Sequence, residues 1–164
     1  GLAALATGCC QAVLEQCVPY ALERKAFGEA IARRQSVAFM IADMGIEIEG
    51  MRLLTWRAAS RAEQGLPFQR EAYLAFLQSM EKAMRIATDG VQVFGGAGFV
   101  RDYPLEMYYR NLRGLSALHG ALSLSPEARA AMAERARRNA VENYSVQQMC
   151  ERTLAVYDAL LRRV

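Results

Sequence analysis

The sequence predicts an all-α protein, an up-and-down four-helix bundle followed by a helical hairpin. Apolar residues recur at intervals of three and four almost throughout the 164 residues, which is the spacing of one helix face. Alternation with a period of two is nowhere long enough to propose a sheet. Glycine, proline and capping residues divide the chain into the bundle, residues 1–124, and the hairpin, residues 125–164.

The first two helices are predicted from residue 2 to residue 26 and from about Ser36 to Gln64. Pro19 is expected to kink or interrupt the first, because proline lacks an N–H donor and clashes with the preceding turn. The second carries an apolar stripe that would face a neighbouring helix. Its members are Val37, Ile41, Met44, Ile48 and Met51.

Gly65-Leu66-Pro67 predicts the end of the second helix, since glycine suits the left-handed position after a helix and proline cannot continue it. Because this connection is short, the second and third helices should pack antiparallel. A fourth helix follows Pro104 and runs to about Leu122. The stripe of the third helix is Tyr73, Leu77, Met80, Met84, Ala87, Val91 and Phe94.

The hairpin has its own start signals. Ser125-Pro126-Glu127 combines an N-cap, a first-turn proline and an acid that the helix dipole favours. Ser145-Val146-Gln147-Gln148 is a capping box that would open a last helix.

Composition narrows the class of function. The 20 basic and 17 acidic residues are interleaved, which gives no footprint for nucleic acid. No long apolar run or signal peptide is present, so no membrane span is expected and the cytoplasm is the expected compartment. The cysteines lack CxxC spacing and lie far from the only histidine, so neither a metal site nor a disulfide framework is expected. Buried reduced thiols are expected instead at Cys9, Cys10, Cys17 and Cys150.

Residues able to bind a ligand collect in two connections. Residues 23–35 join the first two helices and include Arg24 and Arg34, and residues 92–99 join the third and fourth and are rich in glycine. In an antiparallel bundle the two connections lie at the same end. Glycine lets backbone amides approach a ligand, and arginine offers a planar fork to phosphate oxygens, so together they suit a nucleotide pyrophosphate.

Composition alone also allows interpretations of these two connections that involve no ligand. Gly95-Gly96-Ala97-Gly98 neither follows a strand nor matches GxGxxG, so it is also explained as a helix stop. Arg24 and Arg34 equally fit a solvated surface.

Motifs along the bundle resemble those of a known family. Arg24-Lys25-Ala26-Phe27-Gly28, with Ile31 and Gln35, resembles the RxxFGxxIxxxQ signature of acyl-CoA dehydrogenases. Residues 89–99 resemble the family's second signature, a helix that ends in QxxGGxGF. Tyr103-Pro104-Leu105-Glu106, followed by Arg110-Asn111, resembles the YPxE and RD that come next. The bundle thus resembles the C-terminal helical domain of that family.

The resemblance implies a flavoprotein that acts on acyl-CoA thioesters by α,β-dehydrogenation. In the family this bundle holds FAD across a dimer interface, so a homodimer or dimer of dimers is implied. Arg24 and Phe27 would contact the flavin nucleotide of the partner subunit, and Gln35 would lie near the cofactor. The adenosine and pyrophosphate end would be lined by Gln92, Gly95 and Gly96.

The catalytic base is where the sequence departs from the family. Many members carry a glutamate-glycine pair at a fixed distance after the RD arginine; counted from Arg110, that position holds His119-Gly120. A neutral imidazole can act as a general base, so His119 is the candidate catalytic residue. The alternative is a polar residue in a helix-ending turn. Ala121 and Ser123 also differ from the usual threonine and glutamine.

The family's N-terminal helical domain and middle β-domain have no counterpart in this sequence. The chain alone is therefore expected to be inactive, and a non-catalytic helical assembly domain is the alternative. Residues 126–164 also resemble the closing helices of GT-B glycosyltransferases, notably at Ala136-Arg137-Arg138 and Glu142-Asn143-Tyr144-Ser145. The tail would then be a structural part of a fusion, unless its amphipathic pattern is coincidental.

Overall fold

The computed structural model describes residues 1–122 and 124–143. It confirms the all-α class, since helices make up most of the described chain. The contacts divide the chain into two units, Gly1–Leu118 and His119–Val164, and the expected boundary after residue 124 stays a prediction. The helices are α1 Leu2–Glu23, α2 Gln35–Glu63, α3 Gln69–Phe94, α4 Leu105–Leu122 and α5 Pro126–Asn143.

Ion pairs show that α2 and α3 are antiparallel, as the short connection predicts. Asp43 near the start of α2 pairs with Arg85 towards the end of α3, with 3.3 Å between Oδ2 and Nη2. Arg61 at the end of α2 pairs with Glu71 at the start of α3, at 3.5 Å. The partners therefore run in opposite order along the two helices.

The core lies between the helices. On α2 it is filled by the predicted stripe around Met44. On α3 the predicted stripe is buried only towards the end, since Tyr73 and Leu77 are exposed and Ala75, Ser79 and Ala83 are buried instead. α1 runs parallel to α3, since Cys17 faces Gly90 and Tyr20 faces Phe94. A Cβ on Gly90 would lie 2.5 Å from Val13 Cγ1, so glycine is what lets the two helices approach here. The largest buried side chains are Val13, Met44, Ile48, Met51, Ile86, Leu105 and Leu112.

Of the two effects expected of Pro19, the interruption does not occur. α1 stays helical through Pro19 as far as Glu23, and Cys17 and Ala21, on either side of it, are both buried in the core. The helix ends before the predicted residue 26, where two short strands that the sequence did not predict begin. These are β1, Lys25–Ala26, and β2, Glu29–Ala30, paired antiparallel.

In the second unit, the Ser125 hydroxyl accepts a hydrogen bond from the Ala128 amide at 3.2 Å, which confirms the predicted N-cap of α5. The capping box at residues 145–148, the last predicted helix and most of the tail that resembles glycosyltransferases lie outside the described residues.

Among residues 1–122 and 124–143, no helix is both long and apolar enough to cross a membrane, and no three metal-ligating side chains are grouped. Cys10 and Cys17 are free and buried, as expected, whereas Cys9 is free but only half-buried. Burial raises the pKa of both buried thiols to about 12, helped by the charge of Cys9 at the first and of Asp89 at the second.

Candidate functional site

The β1–β2 hairpin gives Arg24 a fixed place at the end of α1. The Arg24 amide donates to the Tyr20 carbonyl at 2.8 Å, and the Ile31 amide donates to the Arg24 carbonyl at 2.9 Å. The hairpin turns at Phe27-Gly28, with φ of 54° and 88°. Two successive positive φ values define a type I′ turn, which matches the twist of paired strands.

Phe27 is held out into solvent at the tip of this turn. Its ring is 95% exposed, and its left-handed backbone is unusual for a large side chain. The Arg34 guanidinium lies 5.5 Å from the ring centroid. Arg34 also donates to the Ala26 carbonyl at 3.5 Å and pairs with Glu29 at 3.3 Å. Arg34 therefore supports the hairpin, and the ring stays exposed to a ligand or partner.

The second connection starts where α3 ends. Gly95 has a φ of 58°, and its amide donates to the Gln92 carbonyl. Residues Gly95–Phe99 form a 3₁₀ turn, in which Gly98 is buried and has no room for a side chain, since a Cβ would lie 2.7 Å from the Val91 carbonyl oxygen. Gly95 and Gly96, in contrast, are exposed with open space in front of them.

An aromatic cluster joins the two connections. Tyr20 stacks on Phe94, with 3.8 Å between ring centroids and 15° between planes, and the Tyr20 hydroxyl donates to the Phe94 carbonyl at 3.4 Å. Tyr103 meets both rings edge-on, at 5.8 and 4.9 Å. Both connections therefore lie at the same end of the bundle, as predicted.

Sequence patterns missed this cluster as a positioning device. Tyr20 lies within a long helical pattern, and Tyr103 belongs to the third motif, so neither position by itself predicts an aromatic contact. The signal that was available is the spacing of Tyr20, one helical turn before Arg24, since an aromatic ring at that position can pack beside the connection that follows.

Six predicted site residues lie at this end of the bundle, and each is exposed. Two belong to the hairpin, one begins α2, and three lie at the end of α3 or in the turn after it. They are Arg24, Phe27, Gln35, Gln92, Gly95 and Gly96. His119 belongs to α4, but its side chain is outside the described residues, so its role as a base stays a prediction.

Two residues of the third motif form an ion pair within α4. Glu106 and Arg110 form a two-pronged pair, with Oε2 2.6 Å from Nε and Oε1 3.1 Å from Nη2. The hydrogen bond from Arg110 lowers the pKa of Glu106. Because the two side chains lie one turn apart and hold each other, this pair stabilises the first turns of α4.

The sequence matches the family model described as "Acyl-CoA dehydrogenase, C-terminal domain" over residues 1–127. It is 42% identical over 113 residues to the short-chain specific acyl-CoA dehydrogenase of mouse mitochondria. The matched segment covers 69% of this chain and 27% of the relative. A probable acyl-CoA dehydrogenase of Mycobacterium leprae is 40% identical over 118 residues, 68% of this chain and 29% of the relative.

Among solved structures, the chain is similar to butyryl-CoA dehydrogenase from Megasphaera elsdenii, with a TM-score of 0.69 and 36% identity over 70% of this chain and 30% of that one. PigA with FAD and proline gives a TM-score of 0.68 and 32% identity, over the same shares of the two chains. The chain thus spans less than a third of the relatives that it matches. With the family model matched over most of its length, the chain belongs to the acyl-CoA dehydrogenase family, in which it corresponds to the C-terminal domain.

Proposed function

We propose that this chain is the flavin-binding part of an acyl-CoA dehydrogenase-like oxidoreductase of fatty acid metabolism, which would introduce an α,β double bond into an acyl-CoA thioester. The observation that carries the proposal is the shared end of the bundle. An exposed arginine, an exposed aromatic ring and two open glycines lie in two connections that Tyr20 and Phe94 hold together.

The residues present fit FAD. Arg24 offers a guanidinium to phosphate oxygens, and the open backbone at Gly95 and Gly96 can approach a pyrophosphate without a side chain in the way. Phe27 offers an exposed aromatic face to a flat ring. Gln35 and Gln92 supply amide groups that can both donate and accept hydrogen bonds. When bound, the flavin supplies the acceptor for the hydride that leaves the substrate.

His119 is the proposed base for the proton that leaves the α-carbon, in a full-length protein that also carries the family's other domains. The test joins this chain to those domains from a relative and compares His119 with His119→Glu and His119→Ala. Activity that His119→Ala abolishes supports the base. Inactivity of all three, with FAD bound, favours the second candidate, a helical assembly domain that has lost the site.

Self-association is proposed because α2 has a second apolar stripe on its outer side. Phe39, Ile46 and Leu53 are 59, 71 and 60% exposed and lie seven residues apart, so they share one helix face. A homodimer or a dimer of dimers would cover this stripe. Sedimentation of the chain and of Ile46→Glu tests it, since a dimer through this face should become a monomer in the variant.

The cytoplasm is the proposed compartment. The mouse relative is a mitochondrial protein, so localisation of the tagged full-length protein is the measurement that decides between the two.

The experiment that tests flavin binding is equilibrium dialysis of the chain against FAD, together with the thermal unfolding midpoint. We expect saturable binding, a raised midpoint, and about tenfold or more weaker binding in Arg24→Gln, because a charge-assisted hydrogen bond to phosphate is lost. Arg70→Gln, at the opposite end of α3, is the matched control and should bind as the natural chain does. Absence of both retained flavin and a midpoint shift would overturn the proposal.

A further inference from the structure

A cavity of about 280 Å³ lies between the first turns of α1 and the second half of α2, away from the hairpin end. Neither the motifs nor the proposed flavin site uses it. Its volume is close to the lower limit of ligand pockets, so it would suit a small molecule.

The cavity exists because the side chains of α1 that line it are small. Ala4 and Gly8 lie one helical turn apart on the wall of the cavity, and a Cβ on Gly8 would meet no atom within 4 Å. The indole of Trp56 forms the opposite wall but does not fill the space, since it stays 59% exposed. The cavity therefore has a flat aromatic side that an apolar body can cover.

One cation lines the cavity, and its position is fixed. The Arg52 Nη2 donates to Gln11 Oε1 at 2.7 Å, and the arginine side chain is only 30% exposed. Its Nε is buried and has no hydrogen-bond partner within the described residues, although Glu49 Oε1 lies 3.4 Å away. Because arginine carries five N–H donors and this side chain is partly exposed, its terminal nitrogens can also donate to a ligand that brings an acceptor.

The remaining polar wall is neutral. The hydroxyls of Thr7 and Thr55 donate to the carbonyls of Ala3 and Met51, both at 2.8 Å. With their protons used, these oxygens are left as acceptors. The lining among the described residues holds no carboxylate, so Arg52 decides the charge that the cavity prefers.

We propose that this cavity binds a small aromatic monocarboxylic acid, with the carboxylate on Arg52 and the ring against Trp56. The proposal is independent of flavin binding. Glu49, with a side chain 64% exposed, competes for the same guanidinium from outside the cavity and would swing into solvent when the ligand binds.

Trp56 is the only tryptophan of the chain, so its fluorescence reports directly on this wall. The probe is benzoate, and benzamide is its neutral counterpart of the same shape. We expect a saturable change in emission with benzoate. Benzamide and the variant Arg52→Gln should each show roughly tenfold or more weaker binding, because an ionic hydrogen bond is stronger than a neutral one. Glu49→Gln should bind benzoate more tightly, since the competing carboxylate is gone.

Two glycine substitutions distinguish an effect on binding in the cavity from an effect on helix stability. Gly8→Leu places a side chain in the open space, where a Cβ meets nothing within 4 Å, and Gly45→Leu places the same side chain on α2 where a Cβ also meets nothing within 4 Å. Both variants should fold, since leucine favours a helix over glycine, but only Gly8→Leu should lose benzoate binding. Equal affinity for benzoate and benzamide, retained binding in Gly8→Leu, or no saturable change in the natural chain would each overturn the proposal.

Discussion

Tyr20 and Phe94 stack with 3.8 Å between ring centroids, and the Tyr20 hydroxyl also binds the carbonyl of the residue on which it stacks. Tyr20 lies one turn before Arg24, and Phe94 directly precedes Gly95. This pair therefore links the hairpin and the glycine turn, the two connections from which the proposed flavin site is built.

Replacing Tyr20 should separate stacking from hydrogen bonding. Tyr20→Phe keeps the stacked ring and loses one hydrogen bond, so we expect a loss of about 1 kcal/mol in the free energy of unfolding. Tyr20→Leu loses the aromatic pair as well, and a loss of roughly 2 kcal/mol or more is expected. Urea denaturation measures both, and equal losses in the two variants would contradict the importance of the stack.

Phe27 is expected to lower the stability of the fold and to contribute to FAD binding. Its positive φ of 54° is strained for phenylalanine, whereas asparagine followed by glycine is the preferred pair for a type I′ turn. Phe27→Asn should therefore raise the free energy of unfolding by up to about 1 kcal/mol and weaken FAD binding. A variant that is less stable than the natural chain would show that the exposed ring contributes to folding.

Gly90 should not tolerate a methyl group. Its Cβ would lie 2.5 Å from Val13 Cγ1 and 3.4 Å from Leu105 Cδ1, and overpacking of this kind costs about 1–3 kcal/mol. Chemical denaturation of Gly90→Ala measures the loss. Val13→Ala in the same chain should recover part of it, as a double-mutant cycle detects, whereas strictly additive losses would place the clash elsewhere.

Glu71 should make the turn between α2 and α3 sensitive to acid. A hydrogen bond from its own backbone amide lowers the pKa of this carboxyl, with further lowering by Arg61, Arg70 and Arg57. Because the folded pKa lies below the unfolded one, the stabilisation is present above the unfolded pKa and is lost as the pH falls through the folded pKa.

Glu71→Gln should therefore lower stability at neutral pH and flatten the loss of stability on acidification below about pH 4.3, the ordinary glutamate value. Thermal midpoints measured from neutral to acidic pH show the slope, and Glu81→Gln on the exposed side of α3 serves as the matched control. An unchanged slope in Glu71→Gln would rule out this contribution.

The thiols should react in the order of their burial. Cys10 and Cys17 are buried with pKa values of about 12, so little thiolate is present at neutral pH. Burial raises the pKa of Cys9 as well, but this thiol is only half-buried. Mass spectrometry after brief alkylation of the folded chain should find Cys9 modified before the other two, and early modification of Cys10 would contradict the packing of α1.

The sequence was sufficient for the parts of the fold that follow from helical periodicity. The stripes around Met44 and Val91 predicted the extent of α2 and α3 to within a few residues. The buried face of α3 was predicted correctly only towards its end, since Tyr73 and Leu77 of the predicted stripe are exposed. The hairpin was missed because two-residue strands carry no period. Pro19 does not interrupt α1, since burial of Cys17 and Ala21 on either side of it favours the continuous helix.

The site was predictable as a set of residues but not as a geometry. Motif resemblance singled out Arg24, Phe27 and Gly95, and the bundle topology implied that they share an end. The left-handed backbone of Phe27 depends on pairing between strands, and the stack of Tyr20 depends on a contact between residues 74 positions apart. Neither leaves a local pattern in the sequence.

The central claim is that one flavin nucleotide contacts both connections together. Titration of the isotope-labelled chain with FAD, followed by amide NMR, tests it most directly. The account predicts that the amides of residues 24–28 and of Gly95 and Gly96 shift together, with a single binding constant. Shifts confined to one connection, or none at either, would contradict it.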